Sequence, residues 1–313
     1  MQVTVSSPGK IYLSGEHFVV FGRPALLSAI DKRVYVTVSD DGSKRQINSA
    51  DNFFIRHIIG IVKKHFKIND FPPFRITVKS KIKAGYHLGS SAAVSVAVIS
   101  SLSYFLRSVW KPDLFNLLAF RAEKIKHGNP SGADNTVSVF GGLIWYSEKG
   151  KIIKSIRLSP AVSSQVLNNF YLVDTGRPCQ TTGDMVSHVG KFRNENMKYF
   201  KRLADINEKE TNNVLNSLNS GDIKNLKKAV RAGQQTFKNL GVVSKKVIPF
   251  IKDLESEGGA AKILGGGGYM GGVGYLLCLL QNRQVLTQIC TKYGFTFQDI
   301  LLGQPGLRLE KLK

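Results

Sequence analysis

Apolar and polar residues alternate at Val3 and Val5, at Val34, Val36 and Val38, and at Phe74, Ile76 and Val78. A period of two places every second side chain on one face, so three half-buried strands are predicted. Between them Asn52 to Phe66 reads as a helix, followed by the breaker Pro72-Pro73. After the third strand comes KAGYHLGSSAAVSVAVISS, Lys83 to Ser101, where a Gly-Ser turn opens into a helix of small and apolar residues. Val94, Val96, Ala97, Val98, Ile99 and Leu102 cover nearly every side of that helix, which predicts burial with only its polar mouth open. Pro112 suits the first turn of the next helix, which runs through Leu114, Leu117, Leu118, Ala122 and Ile125 and stops near Gly128. Leu143 to Tyr146 is a short strand after a double glycine. The pattern loosens over 158–169, and the domain boundary is placed there, giving domains 1–162 and 163–313. The second half restarts with a strand at Phe170 to Asp174, long polar-amphipathic helices over Thr182 to Asn219 and Asp222 to Leu240, and a glycine-rich run, Gly265 to Gly274, before the strand Tyr275 to Leu280.

The 313 residues are 42% hydrophobic, enough for real cores in about two domains. No run of about 18 apolar residues could span a bilayer, and the amino terminus MQVTVSSPGK lacks the apolar segment of a signal peptide, so the chain reads as cytoplasmic with no membrane partner. Cys179, Cys278 and Cys290 show no CxxC spacing and are expected to be buried fillers. The net charge of +22 fits nucleic acid, anionic substrates or a mere solubility habit; it is spread along the chain without a long basic tail, and aromatic residues do not interleave with it, which makes nucleic acid the minority reading and is compatible with a polyphosphate nucleotide.

Candidate chemistry begins at the mouth of the Gly85 to Ser91 segment. The first N–H groups of a helix lack internal partners and the peptide dipoles add positive charge there, so a phosphate fits; a capped core helix fits as well. GxxxxGK[ST] is absent, as is GxGxxG after a strand. Lys10, His17, Glu123 and Asp134 each have an ordinary explanation: a solvated lysine, a structural histidine, a surface glutamate and a capping aspartate. Glu123 falls about 180° from the middle of its helix's apolar stripe at roughly 100° per residue. The apolar flanks of the glycine-rich run argue against a linker and for a turn facing a ligand or the first domain.

Together these segments resemble a known set. PGKIYLSGEHFVVFGRPAL, HLGSSAAVSVA and KILGGGGYMGGVG are similar to the three ordered motifs of the GHMP kinases, and GEHFVVFG with HGNPSGADN resembles the mevalonate kinase branch in particular. The resemblance implies an α+β fold, with an amino-terminal domain like the second domain of ribosomal protein S5, a ferredoxin-like carboxy-terminal domain, and the active site between them. It implies ATP and Mg²⁺, with Gly85, His87, Leu88, Gly89, Ser90, Ser91 and Ala92 around the phosphates and Ser91 and Glu123 on the metal. Asp134 would take the proton of the substrate hydroxyl with Lys10 beside it, and Glu16, His17 and Thr181 would meet the acceptor. Mevalonate is the acceptor implied, phosphorylated on its 5-hydroxyl; phosphomevalonate or another small alcohol is the nearest alternative, and a basic nucleic-acid-binding protein a more distant one. A homodimer stays open. The chain departs from the family at Tyr86-His87, at Leu264 and at Tyr269-Met270, where smaller residues or a hydroxyl are usual.

Overall fold

The computed structural model describes residues 1–40, 45–128, 130–147, 152–158 and 166–312. The chain opens with two long antiparallel strands, β1 (Gln2–Ser14) and β2 (Ala25–Ser39), joined through a short 3₁₀ turn at Phe18–Phe21. There follow β3 (Gln46–Asn48), α1 (Asn52–Phe66), β4 (Arg75–Ser80), α2 (Ser90–Arg107), α3 (Pro112–His127), α4 (Ala133–Phe140), β5 (Leu143–Ser147) and β6 (Ile152–Ile156). The second half supplies β7 (Phe170–Asp174), α5 (Thr182–Glu195), α6 (Met197–Ser220), α7 (Ile223–Asn239), α8 (Ile248–Ser256), β8 (Ala260–Ile263), β9 (Tyr275–Leu279), α9 (Arg283–Tyr293), β10 (Thr296–Asp299) and β11 (Arg308–Leu312).

Two sheets organise these elements. The first has the order β11-β1-β2-β4-β3, with β5 pairing the early half of β2 and β6 pairing β5; the second has the order β10-β7-β9-β8 and is antiparallel throughout. The period-two strands are where the alternation put them: Val3, Val5, Val34, Val36, Val38 and Ile76 are wholly buried. Helix α2 lies against both long strands, with Val96, Ala97, Val98, Ile99 and Leu102 buried. Contrary to the expectation that no segment could span a bilayer, it is long and apolar enough to do so by length and composition alone, but those apolar residues are occupied inside the domain. The main core draws on both halves of the chain, since Val214, Leu218, Leu226 and Val230 of α6 and α7 join residues of β1, β2 and α2.

Two expectations need correction here. The helical stretch over 182–219 breaks at Asn196, whose φ of −132° is not helical and whose side chain and N–H both bond the Phe192 carbonyl, the local competition for backbone that disfavours Asn inside helices. Cys179 is exposed, while Cys278 and Cys290 are buried. At the carboxy terminus β11 returns to the first sheet beside β1. Arg33, itself buried, holds that return by donating to the carbonyls of Pro305 and Gly306. The boundary placed at 162/163 falls within 159–165, outside the described residues.

Candidate active site

The strand pleat of β1 puts Lys10 and Tyr12 on one face, because they are two residues apart. Both engage Asp134, in the first turn of α4: Lys10 Nζ lies 2.9 Å from Oδ2, and the Tyr12 hydroxyl donates to Oδ1 at 3.0 Å. Lys10 is buried, whereas Asp134 opens to a cavity of about 910 Å³. Burial, followed by the charge of Asp134, raises the Tyr12 phenol well above its ordinary range, so it stays a donor.

The mouth of α2 forms the neighbouring wall. Gly89 is the N-cap, with φ +73° and no side-chain cap, and Gly89, Ser90 and Ser91 line the cavity, so the first amides of the helix, which have no partner within it, lie at the cavity wall. A Cβ at Gly89 would lie 2.7 Å from Lys10 Cγ, which is why the lysine can cross directly over the turn. The Lys10 N–H also donates to the Leu88 carbonyl at 2.9 Å, fastening the turn to β1.

Glu123 is 2% exposed, contrary to a surface position. Two of the residues that defined the apolar stripe, Leu117 and Ile125, are 49% and 52% exposed, and the face that is buried runs through Phe115, Leu118, Ala119, Ala122 and Glu123. Ser91 Oγ donates to its Oε2 at 3.0 Å and Ser95 Oγ to its Oε1 at 3.4 Å, while His127 Nε2 lies 3.1 Å from Ser91 Oγ. Burial, then the charge of Asp134, pushes the Glu123 carboxyl up to about 7. Its only salt-bridge partner among the described residues is His127, whose pKa burial lowers. A carboxylate and a hydroxyl, both hard oxygen donors, beside a helix N-terminus fit a small divalent cation that also holds phosphate.

A third wall joins the two halves of the chain. Glu16, buried, pairs with Lys262 of β8, whose ammonium also donates to the carbonyls of Tyr12 at 3.1 Å and Ile263 at 2.8 Å. Burial drives Glu16 up and Lys262 down, and their mutual attraction opposes both shifts. His17 has φ 60°, and its Nε2–H donates to the Gly266 carbonyl at 3.2 Å; burial lowers its pKa to about 4. His87 packs on Gly265 and approaches the Thr182 hydroxyl at 3.3 Å, and burial lowers it too to about 4, so its ring is neutral near pH ~7. Thr181 lines the cavity and caps α5, in a reciprocal box with Asp184.

Every sequence-derived site residue except Ala92 therefore lines one cavity. Ala92 is buried one residue deeper in α2. Of the glycine-rich run, only Gly265 and Gly266 reach the cavity; Gly267 and Gly272 pack on the backbone of Val242 and of Thr175-Gly176. Sequence reasoning passed over Tyr12, His127, Arg177 and Lys262. The first had a signal, its two-residue spacing from Lys10; His127 lies four residues after Glu123, on the same helix face.

A helix mouth, a lysine-held carboxylate and a hard-oxygen pair around one cavity suit phosphoryl transfer to a small molecule. Residues 52–142 match the GHMP kinases N terminal domain. Over its full length the chain is 30% identical to the mevalonate kinase of Thermococcus gammatolerans, covering 100% of this chain and 99% of that one. The chain belongs to the GHMP kinase family. It is also 28% identical to the mevalonate kinase of Archaeoglobus fulgidus, over 84% of this chain and 88% of the relative. Among solved structures, L. major mevalonate kinase in complex with R-mevalonate shares the fold with a TM-score of 0.79 and 23% identity, covering 96% of this chain and 95% of that one.

Proposed function

We propose that this chain transfers the γ-phosphoryl group of ATP to the 5-hydroxyl of mevalonate, giving 5-phosphomevalonate and ADP. The observation that carries the reading is the Lys10–Asp134 pair set beside the free amides of α2 in a shared cavity. Phosphoryl transfer asks the protein for alignment and for compensation of charge on the transferring group. The helix amides bind the polyphosphate. Asp134 takes the proton of the attacking hydroxyl: each carboxylate oxygen keeps a lone pair after accepting from Lys10 and Tyr12, so the base is oriented without being used up. Lys10 faces the same space and offsets charge on the phosphoryl oxygens. Ser91 and Glu123 would hold Mg²⁺, which when bound neutralises phosphate charge. Glu16, His17 and Thr181 line the acceptor side, and the archaeal relatives named mevalonate kinase support mevalonate as acceptor.

A coupled ADP-release assay with ATP, Mg²⁺ and a panel of acceptors tests the reading. Mevalonate-dependent ADP formation is expected; its absence, or faster turnover of phosphomevalonate, overturns the assignment.

A further inference from the structure

We infer that Lys262 is a positioning residue for acceptor recognition: by holding one oxygen of Glu16 it aims the other at the cavity, to accept a hydrogen bond from the acceptor's non-reacting hydroxyl. The inference rests on the proposed reaction. Glu16 is 1% exposed and lines the cavity, yet its Oε2 has no hydrogen-bond partner among the described residues. An interior carboxylate oxygen left unpaired is costly unless a ligand completes it. Its other oxygen, Oε1, is bound by the Lys262 ammonium, and that ammonium spends its three N–H donors on Glu16, the Tyr12 carbonyl and the Ile263 carbonyl. Lys262 has no donor left for substrate, so it acts through Glu16. The lysine comes from β8 in the second sheet, and everything it holds except its neighbour Ile263 belongs to the amino-terminal strand and turn. It thereby fixes the acceptor wall against the Tyr12-Asp134 wall.

The reacting hydroxyl belongs to Asp134 and Lys10, so the group left for Glu16 on mevalonate is the tertiary hydroxyl. A fixed acceptor for one hydroxyl discriminates against an analogue that lacks it, since the analogue leaves Oε2 unpaired.

The test measures dissociation constants for R-mevalonate, for its 3-deoxy analogue and for ATP in the wild type, Glu16→Gln, Lys262→Met and the double variant. The wild type is expected to prefer mevalonate over the deoxy analogue by roughly 10- to 100-fold. In Glu16→Gln the amide oxygen turns to Lys262 and its NH₂ faces the cavity, so a neutral contact to the hydroxyl oxygen replaces the charged acceptor and the preference falls. In Lys262→Met it collapses to the same degree, with ATP affinity changed less than about twofold, and the double variant is no worse than either single one. Where Lys262→Met does not fold, the double variant, which leaves no lone charge inside, carries the comparison. Retained preference in the lysine variants, or a parallel loss of ATP and mevalonate affinity, overturns the inference. A wild type that does not bind mevalonate sinks the proposed function instead.

Discussion

Neutral His17 predicts a specific acid weakness. Its ring is buried, packs toward Phe237 and donates to the Gly266 carbonyl, and burial holds its pKa at about 4. An unfolded chain takes up the proton near pH ~6.5. The folded pKa is depressed, so stability present above about pH 6.5 is lost progressively as the pH falls toward 4, because the unfolded state binds the proton first. At about 1.4 kcal/mol per unit, the loss is roughly 2 kcal/mol by pH ~5, with a limit near 3. His17→Asn removes the titration while keeping a residue that tolerates positive φ. Urea unfolding of both proteins at about pH 7.5 and 5, at one ionic strength, isolates the contribution, since groups common to both cancel in the difference. The wild type should lose about 2 kcal/mol more than the variant on acidification. Equal losses within ~0.5 kcal/mol would refute the assignment of a buried neutral imidazole.

Asp134→Ala should lower kcat by about 10²- to 10⁴-fold with nucleotide affinity little changed, and retained turnover in ADP release would reject the proposed base. Gly89→Ala drives a Cβ to 2.7 Å from Lys10 Cγ at φ +73°; kcat should fall about 100-fold while circular dichroism stays native-like, and unchanged turnover would show that Lys10 does not need its path over the turn. Glu123→Gln should raise the Mg²⁺ concentration needed for half-maximal activity about tenfold or more, and an unchanged metal titration counts against its ligand role. Gly306→Ala places a Cβ 2.2 Å from the Val139 carbonyl oxygen and 2.6 Å from Gly141 N, backbone atoms that cannot step aside, so thermal unfolding should drop by an amount corresponding to roughly 2–4 kcal/mol; an unaltered midpoint would mean the return to β11 is loosely held.

The strands and α2 were legible because each buries a face or its whole girth, and a buried surface forces a period on the sequence. Lys10, Ser91, Glu123 and Asp134 were legible through their motifs, but the environment of Glu123 was not: exposed Leu117 and Ile125 pulled the apolar stripe away from the face that packs on α2. Apolar residues on a surface cost little, so a stripe drawn from hydrophobicity alone can rotate by half a turn. Asn196 was a missed stop because its effect comes from competition for the Phe192 carbonyl, which has no apolar signature. Lys262 stood at the head of the motif KILGGGGYMGGVG, but a lysine in AAKI reads as a solvent-facing strand position, and only the turn carrying Glu16, 246 residues away, makes it an interior one.

That contrast explains why the charge of +22 was a poor guide to function. Of the described Lys and Arg residues only Lys10, Arg33 and Lys262 are buried. Exposed charges are screened within about 10 Å at ordinary salt, whereas an interior charge acts at lower effective dielectric and must be matched atom by atom. Arg33 is matched by Ser6 and by the carbonyls of the returning carboxy-terminal segment, Lys262 by Glu16 and two carbonyls, and Lys10 by Asp134 at the open side of the cavity. Of the three, Lys10 alone pairs with an acid that is itself partly exposed, the Asp134 side chain being 32% exposed against 1% for Glu16, which places it where the proposed phosphoryl group would arrive.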